Sequence, residues 1–238
     1  MKLDTLVIVA HPDDAELACA GTIISQTRNG KQVGVVDLTR GELGTRGTPE
    51  IRSKEAEDAA KIMGLAVREN LEMEDAFFLN DKVHQLKVIQ AIRKYRPEIV
   101  ITNAITDRHP DHGKGAQLVK TASFMSGLKM IETKDESGNQ EAWRPKAIYF
   151  SIQSQSLVPD FIVDVSPSWD QKMNAIRAYK SQFHNPNSNE PETYISNPEF
   201  LKMIESRGKE FGHAIQVKYG EGFNVIRTIG VNDLFDLI

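Results

Sequence analysis

Two short stretches of the chain carry the residue types that metal and acid–base chemistry need. His11-Pro12-Asp13-Asp14-Ala15-Glu16 and Asp107-Arg108-His109-Pro110-Asp111-His112 each crowd imidazoles and carboxylates into a few residues. Imidazole and carboxylate are the common ligands of a divalent cation. Positions three apart at the start of a helix fall on one side of it, so His11 and Asp14 can converge on one ion. Asp13 then projects differently and can face a water on that ion. A solvated acidic turn, with Asp13 or Asp14 capping a helix, is the plain alternative for this stretch taken alone. The histidines of the second stretch, His109 and His112, repeat the spacing of three. Two imidazoles and one carboxylate with a position left open form the donor set of catalytic zinc, and iron(II) uses the same groups. A bound zinc lowers the pKa of its water to about 7, and a neighbouring carboxylate can take the proton as attack begins. Spacing alone leaves open which of His109 and His112 is the ligand.

The elements that must position these stretches follow from the hydrophobic pattern. Leu6–Ala10, Val33–Leu38 and Ile99–Thr102 are short, unbroken, β-branched apolar runs, as expected of strands buried on both faces. Between them lie segments of helical period. In Glu50–Met63 the residues Arg52, Ala56, Ala59, Ala60 and Met63 share a face, with Thr48 to cap it, Pro49 at its first position and Gly64 to end it. Glu50 with Lys54 and Glu57 with Lys61 are spaced for ion pairs on the solvent side. Gln85–Tyr95 repeats the pattern through Val88, Ile89, Ile92 and Tyr95, and Pro97 closes it. Strands alternating with amphipathic helices predict an α/β fold, a Rossmann-like parallel sheet flanked by helices. In a sheet of order 3-2-1-4, strands 1 and 4 are neighbours at the switch point where such folds bind ligands, so the two stretches meet in one crevice. Three acidic groups and an imidazole stand where a dinucleotide-binding protein carries its glycines, and their charge would repel a pyrophosphate.

The second half reads as a less regular C-terminal extension. Ala147–Ile152 and Phe161–Val165 are expected strands, and Ser166 or Ser168 caps a helix striped by Trp169, Met173, Ile176 and Phe183. His184–Asn197 is polar and too long for an ordinary connector. Glu199–Phe211 resumes a helix, and Ile215–Tyr219 and Asn224–Ile229 read as terminal strands. With no internal repeat or clear linker, residues 1–238 are expected to form one domain. Lys and Arg number 29 against 33 Asp and Glu, a net charge of −4 that offers no broad cationic footprint for nucleic acid. The single cysteine, Cys19, excludes a disulfide framework and a four-cysteine zinc site, and reads as a small packed side chain. No apolar run approaches the about 18 residues of a membrane helix, and the run before His11 is too short for a secretion signal, so a cytoplasmic protein is expected.

Arg52 stands in line with the alanines of its helix, so its guanidinium needs an anionic partner there. The loop Arg40–Thr48 carries three glycines and two arginines, which suits close backbone approach to a ligand and a bidentate grip on a carboxylate. His11-Pro12-Asp13-Asp14, with Arg108-His109-Pro110-Asp111-His112 downstream, resembles the LmbE/PIG-L-type zinc deacetylases of N-acetylglucosamine conjugates. The loop Arg40-Gly41-Glu42-Leu43-Gly44-Thr45-Arg46-Gly47-Thr48 looks like that of the bacillithiol-biosynthesis deacetylases. The resemblance runs from about Leu3 to Ala122 and is traceable to about Gly222. It implies that His11, Asp14 and His112 ligate zinc and that Asp13 is the general base. His109 would polarise the acetyl carbonyl or protonate the leaving amine, with Asp111 orienting its ring. By the same resemblance Arg52 lies at the active site, Arg46 or Arg108 holds a malate end, Tyr194 stands over the metal, and copies form a homo-oligomer. Relatives read His-Pro-Asp-Asp-Glu where Ala15 intervenes here, so no role passes to Glu16. The implied activity is removal of acetyl from an N-acetylglucosaminyl conjugate, N-acetylglucosaminyl malate first. A deacetylase or amidase of another amino-sugar or thiol conjugate, and a non-catalytic metal- or sugar-binding protein, are the alternatives. The expected partner is a small molecule rather than nucleic acid or membrane.

Overall fold

The chain runs β1 (Thr5–Val9), α1 (Asp14–Arg28), β2 (Val33–Thr39), α2 (Pro49–Met63), β3 (Val67–Met73), α3 (Lys82–Tyr95), β4 (Ile99–Thr102) and α4 (Pro110–Met125). A small hairpin, β5 (Lys134–Asp135) and β6 (Gly138–Asn139), leads to β7 (Ala147–Ser151), β8 (Phe161–Asp164), α5 (Trp169–Arg177), α6 (Pro198–Ala214) and β9 (Gly220–Val225). The computed structural model describes residues 1–136, 138–186 and 188–237. Among these, seven strands form one sheet in the order β3-β2-β1-β4-β7-β9-β8. β1 pairs in parallel with both β2 and β4, which puts the expected switch point between β1 and β4. Strand β9 runs antiparallel between β7 and β8.

All of β1 is buried, and its side chains alternate between layers. Leu6 and Ile8 join Val88, Ile89, Ile92, Leu118 and Val119 of α3 and α4 on one face. Val7 and Val9 join Ala15, Ile23 and Ile24 of α1 on the other. The C-terminal elements add a further layer, in which Trp169, Met173 and Ile176 of α5 and Phe200 and Ile204 of α6 pack on Leu17 of α1 and Ala56 and Ala59 of α2. No helix among the described residues is long and apolar enough to cross a membrane.

Helix α2 starts and stops as its sequence predicts. Thr48 accepts from the Ile51 N–H, Pro49 opens the helix, and Gly64 ends it at φ 71°. The expected pair of Lys61 with Glu57 does not form; Lys61 reaches Asp58 at 2.9 Å, one turn back on the same face. In the C-terminal half the pattern misled more. Helix α5 ends at Arg177, and Phe183 joins its apolar cluster from a turn beyond it. Neither serine caps it through its side chain: Ser168 Oγ donates to Gly21 O and Ser166 Oγ to Asp164. Residues 215–219 form a turn rather than a strand, and the last sheet strand is Gly220–Val225, of which the expected Asn224–Ile229 shares only its first two residues. Its glycines look like strand breakers in sequence. A Cβ at Gly220 would stand 2.6 Å from Ile162, and one at Gly222 2.9 Å from the Phe211 ring, so bare backbone is what lets β9 pass beneath α6.

Helix α1 is interrupted at Cys19, whose φ is −143°. The interruption frees backbone donors that β9 satisfies: Glu221 accepts from the N–H groups of Gly21 and Thr22 at 2.9 and 2.7 Å and from Thr22 Oγ1. Buried Lys172 of α5 neutralises the same carboxylate at 2.6 Å. Removing one partner of a buried pair strands the other charge. Glu221→Ala is therefore expected to lower unfolding free energy by about 3–5 kcal/mol in urea titration, because Lys172 loses its counter-charge and two backbone donors lose their acceptor. Glu221→Gln, which keeps an acceptor oxygen, should cost less.

Candidate metal and catalytic site

The two His/Asp stretches leave the carboxyl ends of β1 and β4 and face each other across Asp14. Asn103, the first residue past β4, ties them together: its Oδ1 accepts from the Ala10 N–H at 2.8 Å and its Nδ2 donates to Asp14 Oδ2 at 3.0 Å. Asp14 Oδ1 lies 3.1 Å from His112 Nε2 and accepts from Gln153 Nε2 at 2.8 Å. Its Oδ2 lies 3.4 Å from His11 Nδ1. The far nitrogen of each imidazole rests on carboxylates. His11 Nε2 is 3.0 Å from Asp75 and 3.3 Å from Asp111, and His112 Nδ1 is 2.6 Å from Asp107. Metal-binding histidines are held in this way, one nitrogen toward the ion and the other on a carboxylate that fixes the tautomer. Among the described residues, ligand atoms of His11, His109 and His112 lie within 4.8 Å of one another, as do those of His11, Asp75 and Asp111. The donor set fits a divalent cation.

Charge in this cluster is strongly biased. Burial works against a proton on His112, but the Asp14 charge and the bond to Asp107 outweigh it and raise its pKa to about 9. His11 is likewise raised against burial, by Asp111, Asp14 and Asp75. Burial would lift Asp14, yet His112 and His11 hold it well below the usual carboxylate range. Protons on these imidazoles would compete with a cation for the same nitrogens, so uptake of a metal here would release protons and strengthen as pH rises.

Asp13 sits at the N-cap position of α1 but caps nothing. Its backbone is held at φ 113°, a left-handed conformation costly for a residue with a Cβ. The carboxylate meets Arg52 NH2 at 3.2 Å, so Asp13 is the anionic partner that the buried guanidinium requires. Arg52 also donates to Pro12 O at 2.6 Å and Gly41 O at 3.1 Å. Gly41 has φ 64°, and a Cβ there would lie 1.9 Å from Arg52 NH1, so this loop glycine makes the room in which Arg52 lies. Burial, opposed by Arg52 and aided by the Asp14 charge, raises the Asp13 pKa to about 7.

His109 caps α4 by accepting from the Asp111 N–H through Nδ1 at 3.3 Å. Burial and the positive imidazoles beside it lower its pKa, so the ring is neutral near pH 7 and carries its proton on Nε2. The Asp111 carboxylate does not orient the His109 ring as the resemblance implied. It turns back over the first turn of α4 to His11, the Ala76 N–H at 3.0 Å and Lys114 at 2.6 Å.

A cavity of about 480 Å³ opens over these groups, and His11, Asp13, Asp14, Arg52, His109 and His112 line it. Arg46, Arg108 and Tyr194 line it as well. Arg108 is exposed at the mouth, its guanidinium 4.0 Å above the Tyr194 ring. Arg46 is buried and turned to other partners: it donates to Ser181 O at 2.9 Å and stands 3.7 Å from Glu190. Glu16 pairs with Arg68 and Tyr179 away from the cluster. Asn103, Gln153, Asp75 and Asp107, which hold the imidazoles and Asp14, had no role in the sequence pattern. A signal did exist. Asp75, Asn103 and Gln153 each fall within two residues of the carboxyl end of a strand, at the edge where open α/β sheets build sites.

Residues 6–123 match the protein family described as PIG-L: GlcNAc-PI de-N-acetylase. The chain is 27% identical over 237 residues to the diacetylchitobiose deacetylase of Thermococcus kodakarensis, covering 94% of this chain and 83% of that protein. It is 30% identical over 203 residues to the probable N-acetyl-alpha-D-glucosaminyl L-malate deacetylase 2 of Bacillus cereus, covering 76% of this chain and 84% of that one. Its fold superposes on the crystal structure of a conserved protein from Thermus thermophilus with a TM-score of 0.87, at 33% identity over 98% of both chains.

In metal-free protein the Asp13 carboxyl should titrate with a midpoint of about 7, followed by carbon NMR of labelled aspartate. Arg52→Ala removes the charge that opposes burial, so the midpoint should move higher. A midpoint near that of an exposed aspartate, indifferent to Arg52, would contradict this electrostatic account.

Proposed function

The chain belongs to the PIG-L (LmbE-like) family, and we propose that it is a metal-dependent N-deacetylase of N-acetylglucosamine conjugates whose substrate is N-acetylglucosaminyl malate, on the route to bacillithiol. The observation that carries this activity is the meeting, in one cavity, of Asp13, buried against Arg52, and the imidazole pair centred on Asp14. His11, Asp14 and His112 would hold zinc, or iron(II) with the same donors, and the bound ion would supply Lewis-acid polarisation of the acetyl carbonyl and acidify a water.

The chain's own residues account for the rest of the turnover. Asp13 takes the proton of the attacking water; its burial makes the carboxylate a better base than an exposed aspartate. Arg52 fixes the direction of that carboxylate. As the new C–O bond forms, His109 donates its Nε2–H to the acetyl oxygen, where negative charge gathers. The amide C–N bond then breaks as the amine nitrogen takes from Asp13 the proton drawn from water, and acetate and a free amino sugar leave. The cavity has the volume of a small-ligand site. Arg108, exposed at the mouth over the Tyr194 ring, would offer its N–H groups to a malate carboxylate, whereas Arg46 is engaged by Ser181 and Glu190.

Acetate release from N-acetylglucosaminyl malate by chelated and zinc-restored protein tests the activity, and a zinc-restored protein that releases none overturns it. A panel of N-acetyl sugars and thiol conjugates beside it tests the aglycone. Asp13→Asn should retain zinc and lose about 10²–10⁴-fold in kcat, whereas His112→Ala should lose zinc. Arg108→Ala should raise KM for the malate conjugate by about tenfold, the worth of one charged hydrogen bond, and leave turnover of a methyl N-acetylglucosaminide unchanged.

A further inference from the structure

We propose that Asp75 is a positioning residue that couples the pocket-lining loop Arg40–Thr48 to the His11 imidazole, so that metal and substrate bind cooperatively. This rests on the metal reading of His11 given above and adds a route by which the metal site governs the substrate pocket.

Both oxygens of Asp75 are used, and they face different parts of the site. Oδ1 lies 3.0 Å from His11 Nε2, while Oδ2 accepts from the Leu43 N–H at 3.1 Å. The Asp75 N–H in turn donates to Glu42 Oε1 at 2.8 Å, so two bonds tie the loop to this one residue. Asp75 is 5% exposed, whereas Leu43 is 60% exposed and has no apolar burial to hold it. Leu43, Gly44 and Arg46 line the cavity, so whatever orders residues 42–43 shapes the wall a substrate meets.

Asp111 supplies the contrast. It approaches the same imidazole nitrogen at 3.3 Å, but its other contacts are the Ala76 N–H and Lys114, neither of them in the loop. Two carboxylates thus share one ring N–H, and of the two only Asp75 is bonded to the Arg40–Thr48 loop. A cation on the opposite ring nitrogen, held also by Asp14 and His112, would pin the imidazole and with it the place of Nε2–H against Asp75. The pinned ring fixes Asp75, and the fixed Asp75 fixes Leu43. By linkage the effect is reciprocal: a substrate that needs the ordered loop raises the affinity for metal by the same factor.

Hydrogen–deuterium exchange of the full chain with and without zinc, beside zinc affinity by competition titration, tests the coupling. In the unaltered chain zinc should slow exchange across residues 41–46. Asp75→Asn is close in shape and can still accept from Leu43, but it cannot accept the imidazole proton with the same oxygen charge. It should weaken zinc by about 10–100-fold and abolish the zinc-dependent slowing, with the variant saturated in zinc. Asp111→Asn should weaken zinc too and yet keep the slowing. Zinc-dependent slowing that persists in saturated Asp75→Asn, or a loss of protection that is the same with and without zinc, overturns the proposal. Zinc bound by the unaltered chain without any change at 41–46 overturns the coupling and leaves the deacetylase reading standing. A chain that takes up no zinc overturns both.

Discussion

Asp14 keeps its charge at 2% exposure because donors surround it: His112 and Gln153 on one oxygen, His11 and Asn103 on the other. A carboxylate stripped of water is costly unless paired and hydrogen-bonded. Meeting that requirement recruits residues from the ends of β1, β4 and β7 and, behind the imidazoles, carboxylates from Asp75, Asp107 and Asp111. The order of strands is what makes this geometry available, since β1 has β4 as its parallel neighbour and β4 has β7. Each layer of partners fixes the one inside it, and the inner layer is the one that can grip a cation.

Asp13 and Asp14 show how neighbouring carboxylates take opposite characters. Both are buried and adjacent in sequence, yet one is held well below the normal range and the other raised to about 7. The difference lies in what each faces. Asp14 is turned to two imidazoles, whereas Asp13, set at φ 113°, is turned to a single guanidinium and feels the Asp14 charge. Separated pKa values leave one carboxylate always charged and the other able to exchange a proton near neutral pH. The backbone cost at Asp13 and the glycine at position 41 both serve this separation, one by aiming the carboxylate and the other by admitting Arg52.

The C-terminal extension matters to the site through contacts rather than through ligands. Gln153 reaches Asp14 from the end of β7, the 181–191 segment engages Arg46 through Ser181, Glu190 and Pro191, and Tyr194 stacks beneath Arg108. Glu221 of β9 closes the interruption in α1, the helix that carries Asp14 in its first turn. The half of the chain with the weaker pattern therefore holds the catalytic half in register.

By itself the sequence determined the parallel core, because β-branched runs such as Ile99–Thr102 and the capped α2 helix announce themselves through local period. It also determined that the two His/Asp stretches share a crevice, because strand order and spacing leave them one place to meet. Tertiary structure alone decided which side chain touches which. Asp75 finds His11 across 64 positions of chain, Asp111 turns away from the adjacent His109 ring, and glycine-rich β9 becomes an inner strand by passing close beneath α6. Local pattern reports how each segment is buried. Hydrogen-bond partners of buried polar groups depend on distances between segments, and those exist only once the layers have packed.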